Sequence, residues 1–162
     1  MVDWDDLGAG LSLRPATADD EHFLAGLYRS TRDDLASVAA TPEVVDLLIA
    51  HQRQIQENAI ARTYPDARHL VAEARGRPIG RVVVDLGADS LHLVEIAVLP
   101  AARRQGHGTR ILGALQRQAA RAGLPLTLMV GAGSAARRLY AAAGFRLAGS
   151  TPATDLMTWT PP

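Results

Sequence analysis

Arg103-Arg104-Gln105-Gly106-His107-Gly108 brings two cations and two glycines together within six residues. It follows an apolar run, Leu91 to Leu99, that stops at Pro100, and it opens onto Thr109-Arg110-Ile111-Leu112-Gly113-Ala114-Leu115, which reads as a helix. Strand, Gly-rich turn and helix in that order place free backbone N–H groups at a helix start. Those donors and the positive end of the helix dipole point the same way, which suits a pyrophosphate. The glycines let the backbone approach such a ligand with no Cβ in between. The spacing is Arg-x-x-Gly-x-Gly. A phosphate loop of the Gly-x-x-x-x-Gly-Lys-Ser/Thr kind is excluded, because the chain has no lysine. The Gly-x-Gly-x-x-Gly dinucleotide fingerprint lacks its third glycine, where Ile111 stands. Two ionisable groups precede the loop, His92 and Glu95. They are three apart and so face opposite sides of a regular strand. An imidazole, with an ordinary pKa of about 6.5, suits proton transfer at neutral pH. Glu95 is flanked by Val94, Ile96 and Ala97, and a carboxylate among such neighbours needs a partner, such as one of the arginines.

The elements that must position these groups follow from patterning. Leu11-Ser12-Leu13-Arg14 alternates and stops at Pro15, a short strand. Thr17 caps a helix that begins with Asp19 and Asp20 and runs to about Ser30. Thr41-Pro42-Glu43 starts a second helix that reaches about Arg62 and is ended by Tyr64-Pro65. His69 to Glu73, Ile79 to Leu86 and Leu91 to Leu99 form a three-strand meander with turns at Gly76-Arg77-Pro78 and Gly87-Ala88-Asp89. The helix after the Gly loop runs to Ala122 and stops at Gly123. Leu126 to Val130 is a strand, Ser134 to Ala143 a short helix, and Phe145 to Ala148 and Leu156 to Trp159 the last two strands.

The 162 residues form one domain, large enough for a real core. An apolar share of 48% and a charged share of 21% are ordinary for a soluble globular protein. The formal net charge is zero, so no broad basic field exists to hold nucleic acid or an anionic membrane. All seventeen basic residues are arginines scattered along the chain, a compositional bias. With no cysteine, disulfides, cysteine-based zinc sites and a thiol nucleophile are excluded. The five histidines have no metal-ligand spacing, so no metal is expected. No apolar run approaches 18 residues, so no membrane span is expected. The acidic N-terminus has no apolar core of a signal peptide, which points to a cytoplasmic protein. Residues 1–10 read as a flexible arm before a single domain over 11–162.

The Arg-x-x-Gly-x-Gly loop resembles the acetyl-CoA pyrophosphate loop of the GNAT superfamily of N-acetyltransferases. A second segment falls in the right place. Gly133-Ser134-Ala135-Ala136-Arg137-Arg138-Leu139-Tyr140-Ala141-Ala142-Ala143-Gly144-Phe145 is similar to that family's Asn-x-x-Ala-x-x-Leu-Tyr-x-x-x-Gly-Phe segment. The element order also agrees over about residues 11 to 160. The resemblance implies an α/β (α+β) GNAT fold, a mixed sheet of about six to seven strands flanked by about four helices. It departs in two places. Gly133 replaces the Asn that contacts the pantetheine arm or a carbonyl, and Leu128 stands where some relatives carry a basic Glu on the fifth strand.

The activity implied is acetyl transfer from acetyl-CoA to a primary amine by direct attack in a ternary complex. An alkyl amine with pKa near 10 is neutral in about one molecule per thousand at pH 7, a deficit of about 4 kcal/mol, so the site needs a proton acceptor. By the resemblance, Tyr140 protonates the leaving sulfur and either His92 or Glu95 is the base; the reading taken first has His92 as base and Glu95 binding the amine or relaying its proton. A strand bulge of the kind common in the family would bring the last two to one site. Ile96, Ala97 and Val98 would pair with pantetheine amides, with the Val98 N–H at the oxyanion. Arg103, Arg104, Gln105, Gly106, His107, Gly108 and Thr109 would hold the pyrophosphate, and Ser134 would add a cofactor contact; His107 is a spacer rather than a catalyst. Tyr28-Arg29-Ser30-Thr31-Arg32 and His51-Gln52-Arg53-Gln54-Ile55-Gln56 would line the pocket of a small-molecule or peptide amine, and their arginines are compatible with a small polar or acidic one. A homodimer is common among relatives. The alternative reading is a non-catalytic acyl-CoA sensor.

Overall fold

The computed structural model describes residues 7–37 and 41–162. Its centre is a seven-stranded mixed sheet of β1 (Leu11–Pro15), β2 (Arg68–Ala74), β3 (Arg77–Leu86), β4 (Leu91–Val98), β5 (Leu126–Gly131), β6 (Arg146–Ser150) and β7 (Thr154–Trp159). The strand order is β1-β2-β3-β4-β5-β7-β6. Neighbours are antiparallel except β4 and β5. The helices are α1 (Glu21–Ser30), α2 (Asp33–Ala36), α3 (Pro42–Thr63), α4 (His107–Ala122) and α5 (Ala136–Ala142). This is the α/β architecture expected from the sequence, with the short α2 in addition.

Two apolar faces sandwich the sheet. On one, α4 buries Ile111, Leu112, Leu115 and Ala119 against Leu13, Val82, Leu93 and Leu128. The spacing of those helical residues is one stripe of a 3.6-residue period. On the other, Val71 and Val83 alternate with the first set and meet the side of the sheet covered by α1, through Leu27, and α3, through Val45, Ile49 and Ile60. Helix α3 starts as its sequence dictates: the Thr41 hydroxyl accepts the Val44 N–H at 3.4 Å and Pro42 occupies the first turn.

Two boundaries differ from the sequence reading. Helix α4 begins at His107, so Gly108 is already in its first turn. Of the residues read as a loose arm, 1–6 lie outside the described residues, and 7–10 are held in place. Leu7 is buried in the core and its N–H donates to the Leu11 carbonyl at 2.8 Å, while the Gly10 carbonyl accepts from Arg75.

A polar knot pins the start of α1 to the sheet. Buried Asp20 takes two bonds from the Arg14 guanidinium, at 2.7 and 2.8 Å, and a third from the Thr17 N–H at 2.8 Å. Arg14 also reaches Glu73 on β2 at 3.0 Å. These donors, Arg14 foremost, hold the Asp20 carboxyl far below the usual carboxylate range. A depressed folded pKa contributes stability that is present above the unfolded value of about 3.9 and is lost as pH falls toward the folded one. Asp20→Asn is therefore expected to cost about 2–3 kcal/mol at pH 7 and to lower Tm by roughly 4–10 °C. The deficit should shrink in acid, as thermal unfolding at pH 7 and pH 3 would show.

Candidate active site

Strands β4 and β5 pair only through Leu91–Leu93 and Leu126–Leu128. Beyond that they part, leaving a wedge along Glu95 to Val98. The β4 backbone faces it by simple alternation. Leu99 N–H donates toward β3, to the Ile79 carbonyl at 2.8 Å, so the N–H groups of Val98 and Ile96 point the other way, into the wedge. Strand β4 also carries a bulge: Val84 pairs with Leu93 but Val83 pairs with Glu95, which leaves Val94 in excess. His92 is thus opposite Asp85 and Glu95 opposite Val83, two β3 residues of the same face. The extra residue puts His92 and Glu95 on one side of the sheet, the side of α1 and α3. A regular strand would have separated them.

On the α4 side, the wedge opens into a cleft of about 410 Å³ lined by Ile96, Val98, Arg103, Gly106, Leu139 and Tyr140, among others. Arg104 and Gly106 adopt left-handed backbone conformations, with φ of 62° and 82°. A Cβ on Gly106 would meet no atom within 4 Å and would stand in the cleft itself. The backbone N–H groups from Gln105 to Thr109 have no acceptor among the described residues, so they form an empty-handed set of donors at the head of a 16-residue helix. Arg103 turns back to donate from Nε to the Val98 carbonyl at 3.1 Å. The His107 side chain is buried, and its Nδ1 has no hydrogen-bond partner among the described residues. Tyr140 is buried, packs edge-on to Phe145 at 5.9 Å, and its hydroxyl has no hydrogen bond among the described residues. Burial raises its pKa, so the phenol keeps its proton at neutral pH.

The opposite face is a charged lattice. Arg81, 7% exposed, takes the Glu57 carboxylate of α3 at 2.5 and 3.0 Å, contacts His69 Nδ1 at 3.1 Å and pairs with Glu95 Oε2 at 3.0 Å. Gln56 donates to the other Glu95 oxygen at 2.9 Å. Oε1 of Glu95 is hydrogen-bonded, while the buried Oε2 has the Arg81 ion pair but accepts no hydrogen bond among the described residues. His92 is freer. Its Nδ1 lies 2.8 Å from the Thr127 hydroxyl and its ring stacks on Tyr64 at 5.4 Å, while Nε2 has no partner among the described residues. Burial lowers the His92 pKa, against a smaller opposing pull from Asp85, so the ring is neutral at pH 7. With Nδ1–H donating to Thr127, Nε2 carries the lone pair of a base.

Gly80 lets β3 approach the end of β4. An added Cβ would sit 2.5 Å from the Ala97 carbonyl oxygen and 3.4 Å from Val98 Cα, both backbone atoms that cannot swing aside. Gly80→Ala is expected to displace Val98 and to destabilise the protein by about 1–3 kcal/mol, read from the denaturant midpoint.

A family model, the acetyltransferase (GNAT) domain, matches residues 65–147, half of the chain. The chain belongs to the GNAT acetyltransferase family. Acetyl-CoA is the cofactor of that family. Solved GNAT structures share the fold at low identity. The PaiA N-acetyltransferase of Thermoplasma acidophilum, crystallised with coenzyme A, has a TM-score of 0.67 and 17% identity over 93% of this chain and 98% of its own. An acetyltransferase of Thermus thermophilus has a TM-score of 0.66 and 22% identity over 93% and 96%. The Salmonella typhimurium enzyme that modifies the N-terminal serine of ribosomal protein L7/L12 has 0.67 and 14% over 96% and 97%. No similar sequence is found among curated proteins.

Within this GNAT domain, Ile96, Val98, Arg103, Arg104, Gly106, His107, Gly108, Thr109 and Tyr140 line one cleft. Ala97 lies one residue out of phase, and Gln105 folds its side chain onto the Ala101 carbonyl at 3.2 Å. Ser134 stands outside the lining: its hydroxyl accepts the Ala136 N–H at 3.2 Å, at the start of α5. His92 and Glu95 share the far face. Sequence reasoning missed Tyr64, Thr127 and Arg81. Tyr64-Pro65 carries a helix-stop signal only, and nothing in the spacing of Arg81 links it to Glu95. Among the described residues no cluster of three or more His, Asp or Glu is arranged for a metal ion, and no helix is long and apolar enough to cross a membrane.

Proposed function

We propose that this protein is an acetyl-CoA-dependent N-acetyltransferase that acts on a primary amine in a ternary complex in the cytoplasm, through one domain over 11–162 to whose core Leu7 is added. The observation that carries the reading is the wedge: an unpaired β4 edge, five free amides and an unpartnered phenol face one cleft, with an imidazole on the far side. The residues fit the cofactor. The amides of Gln105 to Thr109 would receive the diphosphate, and Arg103 and Arg104 supply charge beside it. A helix terminus contributes only about 0.3–2 kcal/mol, so the β4 edge at Ile96 to Val98 must add amide pairing along the pantetheine. When bound, acetyl-CoA supplies an acetyl group already activated as a thioester.

The chain's own groups do the rest. Ile96 and Val98 present N–H donors where negative charge would develop on a carbonyl oxygen. Tyr140 holds a proton for a leaving sulfur. His92 takes the proton shed by the amine as its nitrogen becomes an amide. With Val94 bulged out it lies three β3 registers from Ile96, about 10 Å, so the proton travels through water. Glu95, hydrogen-bonded to Gln56 through one oxygen and ion-paired with Arg81 through the other, is a positioning residue beside the route.

Calorimetry with acetyl-CoA, followed by thiol release with a panel of primary amines, tests the reading. Micromolar binding, worth about 8 kcal/mol, and amine-dependent thiol release are expected. No heat on folded protein would refute it. Binding without amine-dependent release would instead establish an acyl-CoA sensor.

A further inference from the structure

Arg32 stands between α1 and α2 and faces α3. Its Nη2 donates to Gln52 Oε1 at a long 3.4 Å, and its guanidinium lies 5.5 Å from the Tyr28 ring centroid. Its Nε is buried and has no hydrogen-bond partner among the described residues. No carboxylate among the described residues comes within 4 Å, although Asp33 and Asp34 follow it in the chain. Arg14, Arg29, Arg53, Arg81 and Arg137 each hold one. A buried charged donor left without an acceptor is costly, and a planar guanidinium fork is matched best by a carboxylate.

The position of Arg32 relative to the wedge follows from two contacts along α3. Tyr64, at the end of that helix, stacks on His92, and Gln56 meets Glu95, so α3 runs opposite to β4. The eight residues between the helix contacts rise about 12 Å, while the strand contacts, with Val94 bulged out, stand two β3 registers or about 7 Å apart, so the helix crosses β4 obliquely. Gln52 lies one further turn along, about 6 Å of helix and about 3–4 Å along the strand, which brings it and Arg32 level with about Ile96. That is where the β4 edge faces the open wedge. The nearest carboxylate on the sheet, Glu95, is already neutralised by Arg81.

We propose that the acceptor amine carries a carboxylate and that Arg32 seats it, making the acceptor a small amino acid. This rests on the reading of the wedge as the place of acetyl transfer. Arg32 sets specificity through charge and takes no part in the chemistry. A polyamine would bring a second cation toward an unneutralised guanidinium and is a poor acceptor.

The test compares free amino acids (glycine, β-alanine, 4-aminobutyrate, aspartate, glutamate) with their carboxamides as acceptors in thiol release. At least one acid should exceed its amide by tenfold or more in kcat/KM. Arg32→Gln should bring that ratio to within about threefold of one through KM, and Arg32→Lys should recover part of it. Unfolding temperature and acetyl-CoA affinity, measured in parallel, establish that the variants are folded and loaded. Equal use of acid and amide, preference for the amide, or a ratio unmoved by Arg32→Gln would overturn the proposal. The Arg32 Nε–H resonance gives a second readout that needs no turnover. Titration of the free and acetyl-CoA-loaded protein with the same acids should shift it, and no shift with any of them would also overturn the proposal. Failure to bind acetyl-CoA refutes the transferase reading by a separate measurement.

Discussion

Tyr140→Phe should lower kcat by about 10²–10³ while leaving acetyl-CoA affinity within about threefold of the parent. The expectation follows from what the substitution removes. The ring stays, with its edge contact to Phe145 and its burial against the core, so the cleft keeps its shape. Only the hydroxyl goes, and among the described residues that hydroxyl bonds to nothing, so no structural hydrogen bond is lost with it. What is lost is a proton donor in a cleft where burial has already raised its pKa above the ordinary phenol value of about 10. A positioned acid contributes about 10²–10⁴ to a rate. Stopped-flow thiol release together with calorimetry separates the two quantities. Near-parental turnover in Tyr140→Phe would show the ring to be packing alone and would move the search for the acid elsewhere. Because the phenol stays protonated through neutrality, it should add no basic limb to the pH–rate profile below about pH 10.

The fold was largely legible because its signals are local. Thr41-Pro42, Gly123 and the Val-rich run of β3 each state their element within a few residues. The cofactor side of the site was legible for the same reason: Arg103 to Thr109 and Leu139-Tyr140 are contiguous motifs on elements with clear boundaries. The acceptor side was not, because it is made by register. One extra residue at Val94 decides whether His92 and Glu95 share a face, and no residue type at that position announces a bulge. The need of Glu95 for a cation was readable from its apolar neighbours, but which of seventeen arginines would answer depended on β3 lying beside β4. Tyr64 stacks on His92 only because α3 crosses the sheet at the length that brings its last turn there. The start of α4 was missed by two residues because Gly108 reads as a loop residue, while it lies in the first helical turn, where an added Cβ would come 3.4 Å from Leu139 Cδ2.

The second large effect concerns His92. Asn in its place keeps an amide near the position of Nδ1, so the bond to Thr127 survives, but it removes the Nε2 lone pair. His92→Asn should lower kcat/KM by about 10² at pH 7.5. The pH dependence is the sharper reading. A base works unprotonated, and burial holds the His92 pKa below the ordinary histidine value of about 6.5. The parent's kcat/KM should therefore be flat above pH 6.5 and fall as the pH drops through that lowered pKa. In His92→Asn the residual rate should show no such limb. Stability obeys the same sign. In the window between the folded and unfolded values the unfolded chain binds more protons, so stability rises with pH there and is lost below it. His69, also lowered by burial and by the Arg81 charge, adds to the trend in the same direction. An acidic limb that persists in His92→Asn with its midpoint unchanged would assign the base to another group. Glu95 would then be the group to re-examine, and Arg81 and Gln56 would have to release it before it could act.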